Sequence, residues 1–307
     1  MDGPAEVWRV REFLRTAFAA NERRARCWHV ARFDYACWHV CRNVAEVGPE
    51  DVAWLLEADG ELVGLVMPEC APGEAHISLA PGASGRALVG RALEEAALAL
   101  AESELAAHAD QETRLVVWAF SDDTLRGELL SARGYRRSGT AERQWHWTLD
   151  GPREVAAPAH GYRVRALGEG LELLERCYAS GLAFHDDVRV ALDNRADPAW
   201  YRNVQRAPLY RRDLDLVAEA PDGSIAGFVT AWFDDVNRSV LLEPVGVVPA
   251  HRRRGLGRAL LGEALARAQH LGARHAMVGG FDERANALYG SLSPDDSDVL
   301  EAWSRAW

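Results

Sequence analysis

Hydrophobic and polar positions repeat along the chain in an order typical of an α/β protein. Short apolar runs with the character of strands alternate with longer amphipathic stretches of helical period. Both halves show the same order: a helical N-terminal region, two or three strands, a long amphipathic helix, an apolar strand, a short helix and one or two final strands. We therefore predict an α/β fold with a mixed, mostly antiparallel sheet and flanking helices in each half.

The expected elements follow from this periodicity. In the first half we predict strands at 51–58, 61–68, 74–80, 113–120 and 141–149, and helices at 84–107 and 122–133. In the second half we predict strands at 162–166, 213–220, 225–233, 239–248, 273–280 and 298–304, and helices at 169–182, 255–270 and 283–291.

The two halves also share local sequence features. Each contains two strands joined by an Asp-Gly turn, at 51–66 and at 213–229. Matching glycines, prolines and a Gly-Arg-Ala-Leu run recur at an offset of roughly 165 residues, which indicates a duplicated domain. The segment 150–161 is rich in proline and glycine. We predict a first domain at 1–152, a linker at 153–160 and a second domain at 161–307.

Composition narrows the choice of function. The formal net charge of −11 argues against a nucleic-acid partner and favours a cationic one. All 35 basic residues are arginine. The lack of lysine excludes Schiff-base enzymes, P-loop NTPases and protein kinases. Five scattered cysteines, no basic leader and no long apolar stretch predict a cytoplasmic protein without a membrane partner.

The most informative segment is 245–261, where a strand leads through a proline turn into a helix. Three consecutive arginines precede Gly255 and Gly257, and these glycines leave the backbone open to an anion at a helix N-terminus. A dinucleotide-binding fingerprint would need glycine where Leu260 stands, and a P-loop would need lysine. The remaining interpretation is a phosphate cradle, with an exposed basic helix start as the structural alternative.

This Arg-x-x-Gly-x-Gly pattern resembles the pyrophosphate loop of the GNAT acetyltransferase superfamily. The resemblance covers most of the second half and implies that acetyl-CoA binds there, with its pantetheine arm between splayed strands at 239–248 and 273–280. It includes the run from Ala285 to Tyr289, an Asn/Ala helix ending in Leu-Tyr. By this resemblance the cofactor contacts are Val247, Val248, Arg252, Arg253, Arg254, Gly255, Leu256, Gly257, Arg258 and Asn286.

Two positions depart from the family pattern. Asp282 replaces the usual asparagine before the tyrosine, and Leu292-Ser293-Pro294 replaces Leu-Gly-Phe after it. At the first position, the family's asparagine contacts the pantetheine arm, and Asn286 could make that contact in its place. The second implies an altered turn into the last strand.

Catalysis of acetyl transfer to an amine needs a proton acceptor and a proton donor. Glu243 lies in an apolar strand where several GNAT enzymes carry a base, and Pro244 after it indicates an edge or a bulge. The resemblance makes Tyr289 the general acid at the leaving thiolate. A structural carboxylate and a packed core tyrosine are the alternatives for these two residues.

The candidate contacts to a cationic substrate lie at the end of the preceding strand and are Trp232, Asp234 and Asp235. The alternative for them is a solvated hairpin loop.

In the first half, the segment 79–90 corresponds to the phosphate loop but lacks the arginine triplet. The run 129–137, however, resembles the family's closing pattern. We therefore expect a degenerate GNAT-like first domain, as in mycothiol synthase and other tandem GNAT enzymes.

A repeated Cys-Trp-His-Val motif begins at Cys27 and again at Cys37. Its spacing matches no common zinc pattern, so we predict helix packing and no metal.

The leading hypothesis for the whole chain is acetyl-CoA-dependent N-acetylation of a small primary amine by direct transfer. The alternatives are a non-catalytic acyl-CoA-binding regulator and a protein Lys or N-terminal acetyltransferase. Monomer and homodimer both remain open.

Overall fold

The computed structural model describes residues 4–24, 26–44, 46, 48, 53–68, 73–81, 90–108, 114–151 and 153–306. The chain forms two compact units. The first comprises Met1–Gln144 and Asp298–Trp307, and the second comprises Trp145–Ser297. Each unit contains strands and helices in the mixed arrangement that the sequence predicts.

The first unit begins with helical segments and continues with strands. Its helices are α1 (Pro4–Ala20), α2 (Val30–Tyr35), α3 (Gly90–His108) and α4 (Thr124–Ala132), with a π-helical segment at Ala36–Val44. Its strands are β1 (Trp54–Ala58), β2 (Glu61–Met67), β3 (Glu74–Leu79) and β4 (Arg114–Phe120). The chain passes to the second unit within β5 (Arg136–Thr148) and returns within β11 (Asp296–Ala306).

The pairing in the first unit is mostly antiparallel. Strand β1 pairs with β2 and β2 with β3, both antiparallel, whereas β3 and β4 are parallel. Asp59 and Gly60 join β1 and β2 with φ angles of 55° and 78°. Positive φ at both central positions is the geometry that the predicted Asp-Gly hairpin requires.

The second unit contains the candidate site. Its helices are α5 (Glu172–His185), α6 (Val188–Ala196), α7 (Ala199–Val204), α8 (Leu256–His270) and α9 (Glu283–Gly290). Its strands are β6 (Arg163–Ala166), β7 (Asp215–Glu219), β8 (Ile225–Asp234), β9 (Ser239–Val247) and β10 (His275–Gly280). Strands β6 to β9 pair antiparallel in chain order, and β10 pairs parallel with β9.

Helix α8 covers one face of these strands because its apolar residues recur at helical spacing. Leu256, Leu260, Ala264 and Ala268 are buried, in one hydrophobic core with alternate residues of β7, β8 and β9. The other residues of those strands point to the opposite face. This alternation decides which side chains share the candidate site.

Two short helices of the second unit are absent from the sequence prediction. Helices α6 and α7 occupy a stretch with few large apolar residues, where periodicity is weak. Asp187 begins α6 with its side chain accepting a hydrogen bond from Arg189 N at 2.7 Å. That N-cap is the local signal that the hydrophobic pattern misses.

The last predicted strand, at 298–304, forms, but not in the expected half. Residues from Asp298 onward belong to the first unit and pair antiparallel with β4, where Leu300 lies opposite Phe120. Strand propensity describes a segment and not its partner, so the sequence did not reveal this pairing.

The predicted linker and the residues just before it form hydrogen bonds with the second unit. The backbone N–H of Ala159 donates to the carbonyl of Arg254 at 3.1 Å. The Gln269 side chain donates to the carbonyl of Gly151 at 2.7 Å. The backbone of this proline-rich segment therefore bonds to α8 and its preceding loop. The assignment of a degenerate first domain and a catalytic second one stays a prediction.

None of the described helices is both long and apolar enough to cross a bilayer.

We predict that Gly181→Ala lowers the free energy of unfolding by about 1–3 kcal/mol, because α5 and α6 touch at this glycine. A Cβ at Gly181 would lie 2.5 Å from the Cα of Ala191, which is backbone and cannot rotate away. Equilibrium urea unfolding measures the change.

Gly262→Ala in α8 is the matched control. A Cβ there meets its nearest atoms at 3.7 Å, an ordinary contact. Helix propensity should then raise the free energy of unfolding by up to about 1 kcal/mol. Equal effects of the two substitutions would contradict the close approach of α5 and α6.

Candidate functional site

The parallel strands β9 and β10 pair over only a short length. Ser239–Leu241 lies opposite His275–Met277, and β9 then continues to Val247 and β10 to Gly280 without further paired residues in the described register. Unpaired strand edges leave backbone N–H and C=O groups available to another extended chain. The predicted splay between these strands is present.

A bulge in β9 lies where the strands separate. Val229 of β8 is opposite Val245, but Ala231 is opposite Leu242, so Glu243 and Pro244 together face one residue of β8. The sequence prediction of an irregularity at Pro244 is confirmed. The indole N–H of Trp232 donates to the Glu243 carbonyl and stabilises the bulge.

Glu243 points away from the core that contains α8. Its neighbour Leu242 is part of that core, and side chains alternate along a strand. The Glu243 side chain is half-buried, with its Oε2 atom shielded from solvent. A half-buried carboxylate is a group that can exchange a proton with a bound molecule.

The loop after β9 has an unusual backbone. Arg253 and Gly255 adopt φ angles of 62° and 75°, in the left-handed region that a non-glycine residue rarely occupies. Gly255 is the N-cap of α8 and supplies no side-chain hydrogen bond, and no acidic residue occurs in the first turn. The first N–H groups of α8 and their dipole are therefore open to an anion.

The loop arginines differ in their surroundings. Arg253 and Arg254 are exposed. Arg252 instead donates to the carbonyls of Val247 and Ala183, each at 3.2 Å, and so joins the end of β9 to α5. Arg258 donates to the carbonyl of Ser291 at 2.8 Å. Two of the predicted phosphate contacts thus also hold the loop in place.

The two glycines serve different purposes. A Cβ at Gly255 would meet only the Ala157 carbonyl, at 4.0 Å, so its positive φ is what requires glycine. A Cβ at Gly257 would lie 2.7 Å from the Leu288 side chain. This glycine therefore lets α8 and α9 approach each other, and its contact with a phosphate stays a prediction.

The other predicted cofactor contacts line the end of β9 and the start of α8. Val247 is half-buried, and Val248 and Leu256 are buried. The backbone N–H of Val248 donates to the Ala226 carbonyl at 2.9 Å.

Helix α9 follows β10 and is well capped. Asp282, the departure from the family pattern, accepts a hydrogen bond from Ala285 N at 2.7 Å as its N-cap. Asn286 donates to the Gly280 carbonyl at 3.2 Å and accepts from the Trp145 indole at 2.9 Å. Its amide therefore already fixes α9 against the end of β10.

Tyr289 lies in the hydrophobic core of the second unit and is 5% exposed. A Cβ built on Gly280 would be 3.2 Å from its ring, so the ring lies at the open end of β10. Both the packing role and the proposed acid role are compatible with this position.

The three predicted substrate residues differ in burial. Trp232 and Asp234 are fully buried, and Asp235 is exposed. Asp234 accepts a hydrogen bond from the Asn237 side chain at 3.1 Å and stabilises the β8–β9 turn. This contact gives Asp234 a role in the hairpin turn, but its full burial differs from the solvated aspartate of the alternative.

A buried polar network near β8 was missed by the sequence analysis. The Asp215 carboxylate accepts hydrogen bonds from the hydroxyls of Tyr201 and Tyr210, both at 2.8 Å, and from Thr230 at 3.4 Å. Arg176 of α5 lies against the same group, 4.6 Å from the Tyr201 ring centre. An aspartate inside an apolar strand, as in Leu-Asp-Leu-Val, was the available signal.

In the first unit, most of the segment aligned with the phosphate loop, residues 82–89, lies outside the described residues. Cys27 and Cys37 are buried in the core of that unit. Among the described residues no group of three or more His, Cys, Asp or Glu is placed to hold a metal ion.

Comparison with known proteins assigns the fold. Residues 176–292 match the family model "Acetyltransferase (GNAT) family". A GCN5-related N-acetyltransferase from Sphaerobacter thermophilus superposes with a TM-score of 0.67 at 17% identity, covering 99% of this chain and 93% of that one. A tandem GNAT protein from the clavulanic acid biosynthesis pathway gives 0.67 at 18% identity, covering 98% and 94%.

A streptothricin acetyltransferase from Streptomyces lavendulae is 33% identical over 74 residues. The match covers 24% of this chain and 39% of that protein. The sequence match is thus local, whereas the structural matches extend over both units. The second unit thus contains the match to the GNAT acetyltransferase family, and the chain as a whole has a tandem GNAT fold.

Proposed function

We propose that the chain is an N-acetyltransferase that moves the acetyl group of acetyl-CoA directly to a small-molecule primary amine. The observation that carries the proposal is the splay of β9 from β10, followed by a left-handed loop with exposed arginines at the start of α8. Open strand edges suit an extended pantetheine arm, and the loop suits a pyrophosphate.

The residues at this site fit acetyl-CoA. Arg253, Arg254 and the first N–H groups of α8 would hold the pyrophosphate, and the strand edges after Leu241 and Met277 would pair with the amide groups of the arm. When bound, acetyl-CoA supplies an activated acyl group as a thioester. No metal is part of this proposal.

Glu243 is the proposed proton acceptor. An alkyl ammonium is mostly protonated at neutral pH and has no free lone pair, so it must lose a proton before it attacks. Tyr289 is the proposed donor of a proton to the departing sulfur. Each role uses a residue at an end of the splay, Glu243 on β9 and Tyr289 beside Gly280 of β10.

Direct transfer agrees with the state of the thiols. Burial raises the pKa of Cys27 and of Cys177 to about 12 and that of Cys37 well above its usual value. These groups are therefore neutral thiols near pH 7, and a thiolate is the nucleophilic form of cysteine. Their burial disfavours an acyl-cysteine intermediate.

We predict that the double variant Arg253→Ala with Arg254→Ala weakens acetyl-CoA binding by about 10–10²-fold, because charge-assisted hydrogen bonds to phosphate are lost. Calorimetry on the full chain measures this. Arg189→Ala is the control, since Arg189 is also exposed and its nearest acid is 3.9 Å away. Equal affinities of the three proteins would place the phosphates elsewhere.

Glu243→Gln should lower turnover by about 10²–10⁴-fold near pH 7. The loss should shrink as the pH approaches the pKa of the amine, about 10 for an alkyl ammonium, since the substrate then needs no base. Initial rates from pH 6 to 10 test this, with Asp213→Asn, an exposed acid, as control. A uniform loss at all pH values would make Glu243 structural.

Tyr289→Phe should fold and bind acetyl-CoA normally but turn over slowly, because the proton donor acts only as the leaving group departs. Tyr135→Phe removes the same atom from a buried tyrosine of the first unit and is the control. Melting temperature, binding and turnover are compared for both variants. Full activity of Tyr289→Phe, or a loss that follows its melting temperature, would assign Tyr289 to packing.

A further inference from the structure

Arg176 of α5 is completely buried. No residue in the described part of the chain accepts a hydrogen bond from its Nε, Nη1 or Nη2 atoms. Two aromatic rings lie against the guanidinium, Tyr201 with its centre at 4.6 Å and Phe228 with its centre at 3.5 Å. Ring faces attract a cation but do not replace the in-plane acceptors of five N–H donors, so this burial is costly.

The other buried arginines of the described chain have acidic partners. These ion pairs are Arg11 with Asp34, Arg32 with Glu142 and Arg126 with Glu94. The ordinary requirement for a partner is thus met at these sites. Arg176 departs from it, because no described residue accepts a hydrogen bond from its guanidinium.

Asp215 does not fill this role. Its carboxylate is occupied by the hydroxyls of Tyr201, Tyr210 and Thr230. Burial raises the pKa of Asp215, and the nearby positive charge of Arg176 acts in the opposite direction. Asp215 therefore balances the charge of Arg176 at a distance while the N–H donors of Arg176 keep their full capacity.

The position of Arg176 connects it to the proposed base. Phe228, which its guanidinium covers, pairs with Gly246 of β9, and Thr230 lies opposite the bulge at Glu243. Phe228 and Thr230 alternate with Val229 and Ala231, which lie in the core with α8. Arg176 thus lies on the face of β8 and β9 toward which Glu243 points.

We propose that Arg176 binds a carboxylate of the acceptor, so that the substrate is an amino acid or a related carboxylate-bearing amine. The inference rests on the proposed acetyltransferase function and narrows its substrate class. A planar guanidinium with its N–H edge unpaired matches a carboxylate in a bidentate arrangement. The amine of the same molecule would then be directed toward Glu243.

Matched substrate pairs test this proposal. Standard α-amino acids, β-alanine and γ-aminobutyrate are each compared with the corresponding carboxamide, using acetyl-CoA and thiol release on the full chain. We expect the carboxylate form to be preferred through a lower KM. Arg176→Met should raise KM for the carboxylates by about 10²-fold and leave the carboxamides nearly unchanged.

Two further variants separate binding from structure. Arg176→Lys keeps the charge without the planar fork and should recover only part of the preference. Arg202→Met removes an exposed positive charge from neighbouring α7 and should leave the preference intact. If Arg176 only stacks on the rings and balances Asp215, Arg176→Met lowers the melting temperature and affects both members of each pair equally, which overturns the proposal.

Binding without turnover keeps this test independent of the proposed function. Ligand-observed NMR on the same pairs, with coenzyme A present, measures carboxylate binding directly. Arg176-dependent binding without acetylation would support the anion site and refute the acetyltransferase proposal. Acetylation of amines without any carboxylate preference would do the reverse, and the absence of both would overturn both.

Discussion

The candidate site depends on how briefly β9 and β10 stay paired. Had the parallel ladder continued beyond Leu241 and Met277, the strand edges would bond to each other and leave no place for an extended ligand. The bulge at Glu243 and Pro244 lies next to this separation, and its extra residue shifts the alternation of the side chains that follow it along β9. The separation of the strands and the proposed base therefore lie at the same point of β9.

Packing maintains this opening from both ends. Arg252 joins the end of β9 to α5, because it donates hydrogen bonds to the carbonyls of Val247 and Ala183. Asn286 joins α9 to the end of β10 through the Gly280 carbonyl. Residues that look like cofactor contacts in the sequence therefore also build the frame that holds the site open, because a site with unpaired strand edges needs support from its neighbours.

Two buried charged residues of the second unit lower its stability. Asp215 and Arg176 are both fully buried, and desolvation of each charge is unfavourable. The hydroxyls around Asp215 offset part of that cost, whereas nothing in the described chain offers Arg176 a hydrogen bond. Such an imbalance is common where a protein is organised for a ligand, since the ligand completes the set of partners.

The sequence alone determined the class of fold, the repeated order of elements, the Asp-Gly hairpin and the irregularity at Pro244, because each follows from local periodicity or from the chemistry of one residue. The tertiary structure decided which segments meet. It paired the last strand with β4, gave Gly257 a packing role against Leu288, and brought Arg176 near enough to Asp215 for their charges to interact. These contacts join residues far apart in sequence, and hydrophobic periodicity carries no information about which partner a segment will choose.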